Sequence, residues 1–265
     1  DKGRAFADVL QEAQELGYAE ADPTFDVEGI DAAHKLTILS SVAFGIPLQF
    51  DKCYTEGISK ISAQDVANAE SLGFRIKHLG LTRRTREGIE LRVHPTLIPE
   101  KRLIANVNGV MNAVLVEGDA VGPTMYYGAG AGAEPTASSV IADLVDIVRD
   151  MSLDQTVRMP SLGFSPETMS DSPILPMEKV VTAFYMRMNV SEKPGVLAQI
   201  TQILGDAGIS IEAIRQHTHV SAQVPVIILT RPVVEGHMNS AIAAIEALAD
   251  VSGEVTRIRV ENLGG

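Results

Sequence analysis

The chain has no tryptophan, a single cysteine and few aromatic residues of any kind, 5% of its length. One thiol, Cys53, cannot close an intramolecular disulfide, so nothing argues for an oxidising compartment. No charged leader with an apolar stretch behind it is seen, and cytoplasm is the expected location. Cys53 itself reads as a structural thiol. Long hydrophobic runs are missing too, since none approaches the ~18 apolar residues a membrane helix requires. Positive charge is in deficit: 22 Lys and Arg stand against 34 Asp and Glu, a net charge of −12, and the one basic run is Arg83-Arg84-Thr85-Arg86. Nucleic acid is therefore not an expected partner, because phosphate neutralisation supplies most of the affinity for it.

What remains is a chain of 265 residues, 45% hydrophobic, which suits two modest cores on a prior of roughly 100–200 residues per domain. Phe6, Val9, Leu10, Ala13 and Leu16 recur at helical spacing, with Gly17 as a stop. A second helix is predicted from about Gly29 to Val42, with Ile30, Ala33, Leu36, Leu39 and Ala43 as its apolar set. Strands are predicted at 74–81 and 89–93 around a polar turn, with shorter ones at 105–107, 113–116 and 124–127. A glycine-rich run at 127–136 leads into a helix that ends near Arg149.

Pro160, Pro166, Pro173 and Pro176 mark residues 151–176 as a linker between a first region, 1–150, and a second, 177–265. In the second region strands at 180–188, 209–217, 224–229 and 252–260 alternate with helices at 194–205 and 237–248, the ferredoxin-like order βαββαβ. The predicted class is α+β: a mixed or antiparallel sheet covered by helices, followed by that ferredoxin-like module.

The segment with most chemical content is acidic. Glu20, Asp22, Asp26, Glu28 and Asp31 fall within a dozen residues, and Asp31 and Lys35 stand four apart on one helix face. Such crowding costs self-repulsion unless a cation or an ammonium-bearing ligand shares the site, and a zwitterionic amino acid is a natural occupant. Taken alone, an Asp/Lys pair at this spacing is usually a solvated surface pair. Asp22-Pro23 can equally be a simple turn, and Glu28 an acid favoured by the helix dipole. The run Gly128-Ala129-Gly130-Ala131-Gly132 could place bare backbone against a phosphate before a helix, although it lacks Gly-x-Gly-x-x-Gly spacing.

Gly17-Tyr18-Ala19-Glu20-Ala21-Asp22-Pro23, then Asp26-Val27-Glu28-Gly29-Ile30-Asp31 and Lys35, resembles the segment typical of homoserine dehydrogenases, and Gly128–Ala137 resembles that family's second motif. The resemblance implies hydride transfer between L-homoserine and L-aspartate 4-semialdehyde with NAD or NADP. It implies Lys35 as proton donor to the aldehyde oxygen, Asp31 as its support, Glu20 as the group that binds the substrate amine, and Asp22 and Asp26 near the substrate. Gly130 and Gly132 would approach the nicotinamide cofactor. Members of the family begin with a nucleotide-binding half that this sequence does not supply, so a second catalytic lysine and the choice between NAD and NADP are expected upstream. The family's monovalent cation site would also fall there, and no metal is expected in this chain.

Residues 177–263 resemble an ACT domain, carried by Val190-Ser191-Glu192-Lys193-Pro194-Gly195-Val196-Leu197 and by 205–211. The resemblance implies a feedback effector, threonine, at Glu192, Gly195 and Val196, and a homo-oligomer, dimer or tetramer. The alternatives are a module that only pairs subunits, a non-catalytic amino-acid sensor, or a dehydrogenase of another small substrate. His34 should point away from the Lys35 face. His217 and His219 lack metal-ligand spacing beyond a strand pair.

Overall fold

A computed structural model describes residues 6–15, 22–154, 158–216 and 223–263. Its central element is strand β3 (Ile89–Pro99), which follows β2 (Phe74–Arg84) as a hairpin paired over its whole length. Apolar and polar residues alternate along the first half of β3, a pattern that ordinarily marks one wet face. Here both faces are buried. Ile89, Leu91 and Val93 pack with Ala33, Leu36 and Ile46 of and beside helix α3 (Ile30–Phe44), while Glu90, Arg92, His94 and Thr96 are buried on the other side.

The two-residue strand β1 (Tyr54–Thr55) lies parallel to β3 at Arg92 and Val93, and the last strand, β10 (Val251–Val260), lies parallel to it at Thr96 and Leu97. Pro95 falls between these two short pairings. Val93 O accepts from Glu56 N and Leu97 O from Glu261 N, so residues 93, 95 and 97 address the same edge. The missing N–H of Pro95 therefore faces a gap in that edge, and the strand continues through a residue that would otherwise end it.

Helix α4 (Ala63–Ser71) precedes the hairpin, started by a reciprocal capping box between Ser62 and Asp65. Beyond the hairpin, residues 103–106 form a 3₁₀ turn where a strand was expected at 105–107. A two-stranded ribbon follows, β4 (Met111–Gly118) with β5 (Gly122–Ala129), and then helix α5 (Ala133–Met151). None of their residues is buried, and Val114, Val116, Tyr126, Ile141, Leu144 and Val148 are exposed.

The C-terminal module contains β6 (Val181–Ser191), α6 (Val196–Asp206), β7 (Ile211–Gln216), β8 (Gln223–Thr230), the short β9 (Val233–Val234), α7 (Glu235–Glu246) and β10. Its sheet order, β10-β6-β8-β7, is antiparallel and ferredoxin-like as expected. The helix predicted from Pro194 begins at Val196, because Gly195 takes a left-handed conformation (φ 94°) at its N-terminus. Phe184, Met186, Met188 and Val190 of β6 meet Val226 and Ile228 of β8, Ile200 and Leu204 of α6 and Ile245 of α7 in the module's own core.

The opposite face of this sheet belongs to a shared core. Tyr185, Ile227, Leu229, Ile258 and Val260 pack against Ala69 of α4 and Leu97 of β3, so one eight-stranded sheet runs through both regions. The stretch expected as a linker is not a free tether at its end. Ile174 bridges to Ile89, Leu175 N donates to Ile89 O at 2.8 Å, and Ile89 N donates to Pro173 O at 2.9 Å.

A buried ion pair locks the shared core. Arg187 of β6 donates to Asp65 of α4 through Nε (2.6 Å) and Nη2 (3.1 Å), and Tyr185 Oη donates to the same carboxylate at 3.2 Å. Burial works to raise the Asp65 pKa, but the Arg187 and Ser62 bonds override it and hold the carboxyl below its ordinary range. Asp65→Ala leaves Arg187 without its carboxylate partner, with the bond to Thr256 Oγ1 remaining, and is expected to cost about 3–5 kcal/mol, read from equilibrium urea unfolding.

Candidate functional site

The acidic segment is shaped by local turn chemistry. Asp22 Oδ1 accepts from Thr24 N at 3.1 Å, an Asx-type turn that lets Pro23 open the one-turn helix α2 (Thr24–Val27). Hydrogen bonding from Thr24 holds the Asp22 carboxyl below its ordinary range. Gly29 then adopts φ 79° ahead of α3, and a Cβ there would lie 2.7 Å from Cε1 of His78.

Helix α3 buries Ala33, Leu36, Thr37, Ser40 and Ser41 against the hairpin, which turns Asp31 and Lys35 outward. Lys35 Nζ donates to Asp31, and their side chains are 68% and 37% exposed. Ile38, Leu39 and Val42, three to seven positions on, continue this face as exposed apolar residues. His34 is turned aside as expected: its ring meets Phe25 at 5.6 Å and Phe50 at 4.0 Å, tying α2 and α3 to the turn at 50–52. Asp22, Asp26, Asp31 and Lys35 thus share one continuous helix–turn–helix. Glu20 lies outside the described residues, as do His217 and His219.

The remaining expected residues stand on other elements. Gly132 (φ 124°) precedes α5, and Gly130 N donates to Val110 O at 3.5 Å. A Cβ on Gly130 would fall 2.0 Å from Nδ2 of the exposed Asn112, whose side chain would have to move aside. Glu192 and Gly195 lie exposed on the turn between β6 and α6, beside the Lys193–Asp250 ion pair at 2.7 Å. The Val196 side chain, 3% exposed, points into the module core, so only its backbone could address a ligand at that turn. Burial pushes the Cys53 thiol up to about 11, which suits a structural role. Among the described residues no group of three or more His, Cys, Asp or Glu could hold a metal ion.

A second constellation was not anticipated. Arg92, 1% exposed, donates to Glu90 Oε2 through Nε (3.0 Å) and Nη2 (2.8 Å), to Glu261 Oε1 (2.5 Å) and to Nε2 of His94 (2.7 Å). A guanidinium can only donate, so Nε2 of His94 is unprotonated, and its Nδ1 carries the hydrogen offered to Pro95 O at 3.0 Å. Arg259, 0% exposed, donates to Glu235 through Nε (2.9 Å) and Nη2 (2.5 Å), to Glu56 Oε2 (2.8 Å) and to Tyr54 Oη (3.1 Å).

Burial works to raise the Glu56 pKa, yet Arg259 prevails and leaves it below the ordinary range. For His94 burial comes first and the two guanidiniums add to it, so its pKa lies well below 6.5. Alternation of Glu90, Arg92 and His94 in sequence resembles a solvated strand face, and nothing in it points to Arg259 or Glu261, more than 160 positions away.

The homoserine dehydrogenase family matches residues 1–145, more than half of the chain, and the ACT domain matches residues 185–250. The chain belongs to the homoserine dehydrogenase family. A homoserine dehydrogenase of Pseudomonas aeruginosa is 65% identical over 265 residues, 99% of this chain and 61% of that protein. One of Neisseria gonorrhoeae is 56% identical over 264 residues, with the same shares. The crystal structure of the Thiobacillus denitrificans homoserine dehydrogenase is similar with a TM-score of 0.94 at 64% identity, covering 100% of this chain and 60% of that one. For the Staphylococcus aureus homoserine dehydrogenase at pH 6.0 the TM-score is 0.69 at 29% identity, covering 99% and 61%. The chain spans about three fifths of the length of the curated relatives it matches.

The neutral His94 makes this family member sensitive to mild acid. Its folded pKa lies below the unfolded value, so the unfolded chain takes up more protons below pH 6.5 and stability falls with pH there. His78, lowered by burial, adds in the same direction. The free energy of unfolding is expected to drop between pH 7 and pH 5, with a shallower slope in His94→Gln; equilibrium urea unfolding at stepped pH measures it.

Proposed function

We propose that the whole protein of which this chain is part interconverts L-homoserine and L-aspartate 4-semialdehyde with NAD or NADP. The supporting observation is the Lys35–Asp31 pair, turned outward on α3 directly after the acidic segment. Reduction of an aldehyde places negative charge on its oxygen, and an ammonium that can also release a proton there stabilises the transition state. Lys35 takes that role, with Asp31 fixing the direction of its Nζ. Asp22 and Asp26, with Glu20, supply negative charge for the substrate's ammonium. Ile38, Leu39 and Val42 provide an apolar wall beside Lys35 that excludes water once another surface closes over it.

The chain's own residues fit one edge of a nicotinamide cofactor. Gly128 has nothing within 4 Å of an added Cβ, and the run continues past Gly130, which Asn112 covers on one side, to Gly132 at the positive end of α5. The cofactor, when bound, supplies the hydride for the carbonyl carbon. The choice between NAD and NADP rests with residues that contact its adenosine ribose.

The ACT domain makes feedback control by an amino acid part of this reading, with threonine as the expected effector at Glu192, Gly195 and the Val196 backbone. A non-catalytic sensor is disfavoured by the presence of both Lys35 and Asp31. An isolated two-stranded ribbon is marginal in water, so the exposed apolar residues of β4, β5 and α5 support a homo-oligomer, dimer or tetramer. Among the described residues no helix is long and apolar enough to cross a membrane, and cytoplasm is the proposed location.

Lys35→Ala in the whole protein is expected to lower kcat about 10²–10⁴-fold while cofactor binding, followed by nicotinamide fluorescence, persists. Turnover at the level of the unaltered protein would remove Lys35 from the mechanism.

A further inference from the structure

We propose that Arg259, contributed by the last strand of the C-terminal module, is a positioning residue for the acidic segment and acts through Glu56. This goes beyond the dehydrogenase reading above and rests on it for the substrate's identity.

Glu56 is tied on three sides. Its N–H donates to Val93 O at 2.9 Å, its carbonyl oxygen faces Nε2 of His78 at 2.9 Å, and its carboxylate takes Nη1 of Arg259 at 2.8 Å and Oη of Tyr54 at 2.7 Å. The two residues that follow touch the acidic segment directly. Ile58 N donates to Val27 O at 3.0 Å. A Cβ on Gly57 would fall 2.7 Å from Cα of Glu28 and 2.2 Å from its Oε2, so the two backbones run in contact. His78 completes the clamp, since its ring also fills the space beneath Gly29, the residue from which α3 starts. The segment that leads into α3, and with it the placement of Asp22 and Asp26 relative to Lys35, is thereby braced by a backbone contact at 57–58, and the position of that contact depends on Glu56.

Among the described residues the carboxylate of Glu56 accepts hydrogen bonds from two groups, Tyr54 two positions before it and Arg259 from the other region. Arg259 is in turn held from behind by both oxygens of Glu235, the first residue of α7. A fully buried guanidinium with a bidentate partner has one geometry, which makes it a rigid strut rather than a swinging contact. A displacement of α7 or β10 is therefore passed to residues 56–58 and on to 27–31. The ACT domain can alter substrate binding by this route without any of its residues entering the substrate site.

Glu56→Gln in the whole protein is the informative variant, because it keeps shape and leaves the Arg259–Glu235 pair in place. The expected result is a KM for homoserine raised about tenfold with kcat within about twofold, together with faster hydrogen exchange in peptides spanning 24–35 and unchanged exchange in β6 and β8. Arg259→Lys, which keeps the positive charge, is expected to give a KM between those of the unaltered protein and Glu56→Gln. Unchanged KM and unchanged exchange at 24–35 would overturn the proposal, and so would exchange that rises equally in β6 and β8, since that reports general loosening. If the unaltered protein shows no homoserine turnover, the dehydrogenase reading fails instead, and the exchange pattern alone decides whether the strut exists.

Discussion

The structure depends on the burial of a charged stripe where strands β3 and β10 run side by side. Arg92 and Arg259 have lost almost all contact with water, each held by carboxylates drawn from both regions of the chain, and the neutral His94 lies buried beside Arg92. Taking such charges out of water costs several kcal/mol per ion, and only well-aligned partners offset it. The stripe therefore tolerates few alternative arrangements. Apolar packing alone, as between Leu97 and Val260, would accept small slips; a guanidinium that must meet Glu235 and Glu56 together does not.

That constraint explains why the two regions are not separate bodies joined by a tether. The ACT sheet uses one face for its own helices and the other for α4 and the hairpin, with Asp65 and Arg187 sealing the contact. Among the described residues the same arrangement leaves Lys35, Ile38, Leu39 and Val42 of α3 exposed. Its inner face is committed to the hairpin through Ala33 and Leu36, so Asp31 and Lys35 have no direction but outward. A helix anchored on one side in this way presents its other side to whatever surface closes over it.

Much of this was legible in the residues themselves. The helix periodicity at 30–44, the βαββαβ order of the second region and the acidic segment with its Asp31/Lys35 spacing follow from local patterns, and these carried the family resemblance that the relatives bear out. Two elements were misjudged for physical reasons. Strand β3 was expected to end at Val93, yet it runs on to Pro99, because Pro95 faces a gap where no donor is needed. Helix α4 was passed over although Ser62 and Asp65 spell a capping box, since its apolar stripe is short and interrupted by residues that turn out to be buried polar groups.

The sequence by itself determined the class of fold, the βαββαβ order of the second region and the family, because each is written in contiguous spacing of a few residues. Tertiary structure alone decided that Glu90, Arg92 and His94 face inward and that Glu56 meets Arg259. Charge pairing between positions 203 residues apart leaves no periodic trace along a chain, and it exists only where folding removes the water that would otherwise satisfy each group.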